Sequence, residues 1–372
     1  MNCDIQSSII DTATRLPDHL ILEHILPKLP VRSLLRFKSV CKKWFDTICS
    51  HHFIKSHLHY FSSALPRRLI LLVNDYERYK YVFYLLCDDK RKTKLQELVV
   101  PSNFDKSLRG NVAIVGSCDG LVCLYHELNH RRTFYLWNPA TRECREIDQI
   151  EEIEEIDPFM FTAAYGFGYG SFIDDYRIIA IFTAYTDEFR SQLYIYSTKS
   201  GKWKRVICVL DNYRVSTIGI HKGVTVNDRI YWPLRCRNHG EQFNSIVGFD
   251  LVSEQLELNP WMSWLLQENE ADLPLFEIKD CLSLCRYKDD SGFDVWKLKK
   301  REDWNSWEKV FGFNVGCVNF VHFSTSGKCL TQHLKQLKVV DQGREESTDL
   351  GEHYNGHLWE VEDYLESFVS PF

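Results

Sequence analysis

The chain has 372 residues, of which 44% are hydrophobic and 14% aromatic, and a net charge of −6. This composition provides for a large core and excludes wholesale disorder. No window reaches the roughly 18 to 20 apolar residues of a membrane-spanning helix, and residues 1–11 lack the features of a secretory signal. We therefore expect a cytoplasmic and/or nuclear protein with no membrane partner, whose thirteen cysteines are free thiols.

Charge is distributed unevenly between a short N-terminal segment and the rest of the chain. Residues 14–55 hold eight basic and three acidic residues, a net charge of +5, which leaves −11 for the remainder. Because the larger acidic part would oppose a polyanion, we expect no nucleic acid. An acidic protein partner fits the basic segment better.

The segment 14–55 predicts three short helices. Pro17 and Asp18 suit the first turn of a helix, and Pro27 and Pro30 end that helix. Apolar residues then recur every three or four positions, which predicts one continuous helical stripe formed by Phe37, Val40, Cys41, Trp44, Phe45 and Ile48. So small a domain cannot bury all these side chains by itself. The surplus either binds another protein or packs on the rest of the chain.

The order of residues in this segment includes Leu16-Pro17, Leu29-Pro30-Val31, Leu34-Leu35-Arg36-Phe37 and Val40-Cys41-Lys42 followed by Trp44. It resembles the F-box motif in the form common in plants, without gaps over 14–55, and Pro27 is its one oddity. The resemblance implies docking on a Skp-type adaptor, and through it on a cullin and a RING subunit. Carried over by position, the adaptor contacts would be Leu16, Pro17, Leu20, Ile21, Leu29, Pro30, Val31, Leu34, Leu35, Val40 and Trp44. About half of these must also form the motif's own core, and the sequence does not separate the two roles.

Beyond Arg68 short β-rich runs recur with polar turns between them. Six segments share an apolar strand, a turn and a second strand: 83–101, 136–147, 193–206, 247–260, 294–310 and 337–351. Their anchors Leu85, Trp137, Ile195, Phe249, Trp296 and Val340 lie 52, 58, 54, 47 and 44 residues apart. Further strand-like runs precede the later hairpins, at 115–125, 174–185, 223–234, 281–287 and 327–332. Four strands in a repeat of about 40 to 50 residues predict a β-propeller of about six blades.

Two other architectures are compatible with many short strands. One is a β-sandwich, which does not require repeated strand–turn–strand units, and the other is an aromatic-rich β domain with accidental spacing. The propeller is favoured, so the predicted fold class is α+β multidomain, with a small three-helix module before an all-β domain. The tail 364–369 alternates weakly and is expected to pair with an early strand to close the ring.

The β region contains five motifs: SCDGLVCL, LWNPATRE, YGFGY followed by DDYRII, LYIYSTKSGKWKRV and YLESFVSP near the C-terminus. They resemble the F-box-associated domain of plant F-box proteins, whose kelch-like and S-locus members share this layout. The double glycine of true kelch repeats is absent from the sequence. The predicted organisation is a flexible N-terminus at 1–13, an F-box at 14–55, a linker at 56–68 and a substrate-binding domain at 69–372.

No constellation in the sequence predicts catalysis, a metal site or a cofactor. There is no GxSxG elbow, HExxH helix or P-loop, and the cysteines form no CxxC pair. The glycines of YGFGYG (166–170) are expected in turns, and the histidines at 51–59 are expected to flank the third helix.

Three exposed segments are candidates for recognition of a target. The first is an acidic loop with Glu151, Glu152, Glu154 and Glu155, for which a merely solvated loop is the alternative. The second is a loop with Arg235, Arg237 and His239. The third is the pair Trp261 and Trp264, for which buried packing is equally compatible.

These observations predict the substrate-recognition subunit of an SCF-type cullin–RING ubiquitin ligase, itself not an enzyme. The β domain would bind a target protein for ubiquitination and degradation. One alternative is an F-box interaction protein without a ligase role. The other is a ligand-binding or enzymatic propeller with a helical extension, which convergent acid–base residues in a pocket would favour.

Overall fold

The N-terminal helices and the β region form two packed units in the computed structural model. It describes residues 16–64, 68–75, 80–89, 92–101, 110–129, 131–150, 160–184, 191–208, 210, 214–216, 221–238, 241–259, 274–288, 292–313, 320–324, 329–333, 336–341, 344–349 and 356–372. Within these residues the helices precede six β-sheets. The predicted fold class, a small helical module followed by a six-bladed propeller, is confirmed.

The helical unit contains four α-helices and an irregular first segment. The helices are α1 (Asp18–Leu20), α2 (Val31–Phe37), α3 (Lys42–Cys49) and α4 (His51–Ala64). A π-helical turn (Ile21–Ile25) and a 3-10 turn (Leu26–Lys28) continue α1 before the chain becomes extended at Leu29. Pro27 lies inside the 3-10 turn, so the first helical segment extends one residue beyond this proline.

The apolar residues from Phe37 to Ile48 do not form the continuous helical stripe that the spacing predicts. Helix α2 ends at Phe37, and Cys41 has extended backbone angles as the residue before α3. The break lets the rings of Phe37 and Trp44 meet edge to face, with their centroids 5.4 Å apart. Two short helices can therefore bury Leu34 and Ile48 in one core, which a single straight helix could not do.

Helix α4 occupies residues 56–64, most of the segment that the sequence assigns to a linker. Phe53, His57 and Phe61 lie four residues apart on one buried face of this helix. The rings of His57 and Phe61 stack with their centroids 4.4 Å apart. This buried face explains why the chain stays helical here. The histidines at 51, 52 and 59 are exposed residues of α4, which begins directly after α3.

Twenty-six strands follow the helices among the described residues. In chain order they are β1 (Arg68–Asp75), β2 (Lys80–Asp89), β3 (Lys92–Glu97), β4 (Asn111–Cys118), β5 (Leu121–Leu128), β6 (Arg131–Asn138), β7 (Glu143–Ile147), β8 (Met160–Gly170), β9 (Asp175–Ala184), β10 (Gln192–Ser197), β11 (Lys202–Val206), β12 (Arg214–Ser216), β13 (His221–Lys222), β14 (Val224–Val226), β15 (Arg229–Asn238), β16 (Glu241–Asp250), β17 (Leu256–Asn259), β18 (Leu275–Ile278), β19 (Cys281–Lys288), β20 (Gly292–Leu298), β21 (Trp307–Phe313), β22 (Phe320–Phe323), β23 (Cys329–His333), β24 (Gln336–Asp341), β25 (Arg344–Asp349) and β26 (Gly356–Tyr364).

Each blade is an antiparallel sheet, and residues of β26, β4, β8, β14, β18 and β22 lie at the centre of the ring. The blades are β26-β1-β2-β3, β4 to β7, β8 to β11, β12-β15-β16-β17, β18 to β21 and β22 to β25. In the fourth blade β14 also pairs with β15, and β13 pairs in parallel with β8 of the third blade. The six predicted hairpins are confirmed, because each one is the outer pair of a blade.

The ring is closed by the C-terminal strand, although not by the residues predicted to do so. Strand β26 pairs with β1, with Leu71 opposite Val361 and Arg68 opposite Tyr364. Of the predicted segment 364–369, only Tyr364 belongs to this ladder. The residues after it leave the sheet as irregular chain and run to the helical unit instead.

All three glycines of the YGFGYG motif lie within strand β8, so the prediction that they occupy turns is wrong. A Cβ on Gly166 would lie 2.7 Å from Cγ2 of Ile230, and one on Gly168 would lie 2.8 Å from Cδ1 of Leu251. Both neighbours belong to the adjoining blade. Gly166 and Gly168 are therefore sites of close packing between the third and fourth blades.

The ten cysteines whose side chains the structure describes are free thiols. Among the described helices, none is long and apolar enough to cross a membrane.

Candidate adaptor-binding surface and propeller cavity

The helical unit has a core of its own and an apolar surface outside that core. Leu34 and Val31 are buried with Leu26, Ile48 and Phe53. Leu16 and Val40 are instead 59% and 57% exposed. Large hydrophobic side chains that a small domain leaves exposed are typical of a protein interface.

The helical unit also exposes basic residues. Lys42, Lys43 and Lys28 are exposed. Lys43 donates a hydrogen bond of 2.6 Å to the Asp18 carboxylate, which lowers the pKa of Asp18. The helical unit therefore exposes both apolar side chains and an excess of basic residues, a combination that suits an acidic partner.

The C-terminal residues 365–372 connect the helical unit to the propeller. The Phe368 ring completes the helical core, 5.4 Å from the ring of His57, and the Nζ of Lys38 lies 5.2 Å from its centroid. Burial lowers the pKa of His57, although its hydrogen bond to the carbonyl of Leu29 opposes this. The helical unit thus depends on a side chain from the other end of the chain.

Asn138, in the LWNPATRE motif, holds this C-terminal segment on the second blade. Its Nδ2 donates to the carbonyls of Ser367 and Val369 at 3.1 and 2.8 Å. Its Oδ1 accepts from the N–H groups of Ala140 and Thr141, which shapes the turn between β6 and β7. Asn138 is fully buried, so its hydrogen bonds fix the segment in one position.

Ion pairs add two direct links between the helices and the blades. Glu366 contacts Arg68 of the first blade at 2.6 Å and Arg32 of α2 at 3.5 Å. Lys55 of α4 contacts Asp174, in the β8–β9 turn, at 2.8 Å. Hydrogen bonds from Lys55 and Tyr169 lower the pKa of Asp174 to about 2. The Lys55–Asp174 pair is exposed and contributes little stability, whereas Glu366 is largely buried. Both sets of contacts restrict the orientation of the two units.

A cavity of about 230 Å³ lies where the innermost strands of all six blades meet. Glu360 and Glu362 reach it from β26, and Lys222 reaches it from β13. The Lys222 ammonium pairs with Glu362 and donates to the Val361 carbonyl at 3.1 Å. The N–H of Ser117 donates to Glu362 at 3.0 Å.

Burial changes the protonation of the charged groups in this cavity. It raises the pKa of Glu360 to about 7, although Lys222 and the N–H of Ile114 oppose the shift. Burial lowers the pKa of Lys222, but Glu362 and Glu360 outweigh it and the net shift is upward. Lys222 therefore remains charged at neutral pH.

Known protein families match both units of this architecture. The model of the F-box associated beta propeller domain matches residues 69–362, most of the chain, and the F-box domain model matches residues 14–56. The chain belongs to the F-box associated beta propeller family. F-box protein At4g22390 of Arabidopsis thaliana is 28% identical over 79% of this chain and 73% of its own length. From the same plant, F-box/kelch-repeat protein At3g23880 is 24% identical, over 81% and 80%, and F-box protein CPR1 is 26% identical, over 78% and 71%.

Within the F-box, the structure separates the eleven predicted contact residues by exposure. Two are buried in the core, namely Val31 and Leu34. Five are half-buried, namely Leu20, Ile21, Leu29, Leu35 and Trp44. Four are exposed, namely Leu16, Pro17, Pro30 and Val40. Sequence comparison by position missed Ile25 and Phe45, two further exposed hydrophobic residues of the F-box. The periodic apolar pattern included Phe45 but did not show which way it faces.

Of the candidate target-binding residues in the F-box-associated domain, some lie outside the described residues and others lie in a strand. Residues 151–159, 239 and 260–273 lie outside the described residues, which covers Glu151, Glu152, Glu154, Glu155, His239, Trp261 and Trp264. Arg235 and Arg237 belong to strand β15, so the predicted loop is wrong at these positions. The strand extends this far because Trp232, Leu234 and Cys236 alternate into the core. Arg235 donates to its cross-strand partner Asn244 at 3.3 Å.

Proposed function

We propose that this chain is a substrate receptor of an SCF-type cullin–RING ubiquitin ligase. Its F-box would bind a Skp-type adaptor, and its propeller would bind a target protein. An F-box and a propeller in one chain fit the role of a substrate-recognition adaptor. The observation that carries the proposal is the exposed apolar surface on a helical domain whose core is already complete.

The exposed residues supply what an adaptor interface requires. Leu16, Val40 and Phe45 remain outside the core although Phe368 and the propeller already pack on the F-box. Burial of such side chains contributes about 1.5–3 kcal/mol each when they leave water completely. The exposed lysines of the F-box fit a partner of negative charge.

The fixed connection between the two domains supports a role in positioning. Ubiquitin transfer needs the target near a ubiquitin-conjugating enzyme, so holding both in one assembly replaces a bimolecular encounter. Phe368, Asn138 and Glu366 together restrict how the F-box sits on the blades. On this proposal the chain itself is not catalytic, and the chemistry takes place on other subunits.

Adaptor binding can be tested by substituting only exposed residues of the F-box. The double variant Leu16→Asp with Val40→Asp should weaken the binding of a recombinant Skp-type adaptor by more than ~10-fold, because each side chain is expected to lose at least ~1 kcal/mol at the interface. Ile207→Asp, at a position 84% exposed on the propeller, is the matched control. Equal affinity of both variants, measured by calorimetry, would refute this assignment of the surface.

The same assay separates the remaining alternative, an F-box protein without a ligase role. Adaptor binding is expected in both cases. Only a ligase subunit will support ubiquitination when cullin, RING subunit and conjugating enzyme are added to the complex. Adaptor binding without any ubiquitination of propeller-bound protein would favour the alternative.

A further inference from the structure

We propose that the central cavity of the propeller binds one basic side chain, Lys or Arg, of the target protein. This inference rests on the proposed function, since it names the chemistry by which the receptor recognises its target. It is carried by the shape of the cavity, by the charges that line it and by its position in the ring.

The size of the cavity limits its occupant. Pockets for drug-sized ligands generally enclose about 300–1,000 Å³, whereas this cavity encloses about 230 Å³. A water molecule occupies about 30 Å³, so the space holds a few waters or one long side chain. Its walls include Phe167, Phe276 and Phe323, which suit the aliphatic stem of lysine or arginine.

The charge of the lining selects a cation. Among the described residues that line the cavity, four have carboxyl groups, namely Glu277, Glu360, Glu362 and Asp363, while Lys222 is the one ammonium group. Glu360, whose pKa is raised to about 7, is partly protonated at neutral pH, so Glu277, Glu362 and Asp363 supply most of the negative charge. Lys222 is already engaged with Glu362, and His322 lies 3.7 Å from Asp363. A cleft with apolar walls and an excess of one sign of charge concentrates the opposite charge. A positive side chain would therefore be attracted and held by charge-assisted hydrogen bonds.

A metal ion is a poorer occupant than an organic cation. Among the residues that the structure describes, no group of three or more His, Cys, Asp or Glu side chains is arranged to hold a metal. Three of the cavity's carboxyl groups, those of Glu360, Glu362 and Asp363, belong to β26, and the fourth, Glu277, belongs to β18 of a different blade. This spacing suits a guanidinium or ammonium group that reaches several acceptors along a channel.

Selection from a random peptide library tests the inference. The probe is a phage-displayed heptapeptide library, applied to the full-length chain without its adaptor, and adaptor binding of the same chain is measured separately. We expect the selected peptides to share a Lys or Arg. Synthetic versions with that residue replaced by norleucine should bind ~10-fold more weakly or worse, since the loss of one partner of a buried charge pair is costly.

Variants of the cavity locate the binding. Glu360→Gln keeps a group that can accept the hydrogen bond from the N–H of Ile114. Glu277→Gln is a second variant of the lining, to be used if Glu360→Gln lowers the melting temperature of the protein. Both should weaken the selected peptides several-fold. Glu146→Gln, on the outer strand β7, removes an exposed carboxylate and should leave affinity unchanged.

The outcomes distinguish this inference from the proposed function. Selected peptides without a basic residue, no selected peptide at all, or equal binding by all three variants would overturn the cavity assignment while adaptor binding stands. Basic peptides that bind the cavity of a chain that fails to bind adaptor would support the cavity and refute the ligase role.

Discussion

Replacing Phe368 with alanine should loosen the F-box from the propeller without unfolding the blades. Phe368 is 4% exposed and packs with Leu34, Ile48 and Phe53. Truncation of a buried Phe to Ala costs about 3–5 kcal/mol, because transfer free energy is lost and a cavity remains. The edge-to-face contact with His57 would be lost as part of this sum. We expect about 3 kcal/mol, which corresponds to a roughly 100-fold change in the opening equilibrium.

Hydrogen exchange followed by mass spectrometry measures this effect locally. Amides of α2, α3 and α4 should lose protection in Phe368→Ala, while those of β5 and β6 should keep it. Phe372→Ala is the matched control, since Phe372 is 77% exposed four residues later. Equal exchange in the two variants, or equal loss of protection in helices and blades, would refute the idea that this ring joins the two domains.

Three further predictions follow from particular side chains. Asn138→Ala should lower the midpoint of thermal unfolding, because it leaves the carbonyls of Ser367 and Val369 without this donor. Each buried carbonyl left without a donor costs about 1–3 kcal/mol of stability, and an unchanged melting curve would contradict this prediction. Because the pKa of Glu360 is raised to about 7, the folded state holds this proton more tightly, so its stabilising effect is complete below the usual carboxyl pKa of about 4.3 and is lost as pH rises through 7. Glu360→Gln should therefore lose less stability than the wild type between pH 5 and pH 8, and parallel pH profiles would argue against the shift. Thiol titration in denaturant without reductant should find nearly all thirteen cysteines; several disulfides would contradict an intracellular location.

The repeated hairpins could be predicted from the sequence because both of their strands are local. Trp137 and Phe249 recur in strand–turn–strand units whose pairing needs only a short turn. The F-box could be recognised for the same reason, since its residues are contiguous. The prediction that the glycines of YGFGYG occupy turns is wrong, because it uses only neighbouring residues. Gly166 has no room for a side chain beside Ile230 and Trp232 of the next blade, and the residues around Gly166 in the sequence do not reveal this contact.

The exposure of the F-box residues and the central cavity could not be predicted, because both depend on distant parts of the chain. Leu34 and Val40 are equally apolar, yet one is buried and the other exposed because the helices break between them. Phe368 fills the F-box core from more than 300 residues away. The cavity brings Lys222 beside Glu362, and only the closed ring places these two residues together.

Affinity purification from proteasome-inhibited plant cells tests the central claim most directly. The full-length chain is compared with the Leu16→Asp and Val40→Asp double variant, and ubiquitinated sites on the co-purified proteins are quantified by mass spectrometry. A substrate receptor predicts that the variant loses the Skp-type adaptor and cullin, keeps the proteins bound to the propeller, and leaves those proteins less ubiquitinated. Retention of adaptor by the variant, or unchanged ubiquitination of the propeller-bound proteins, would contradict the account.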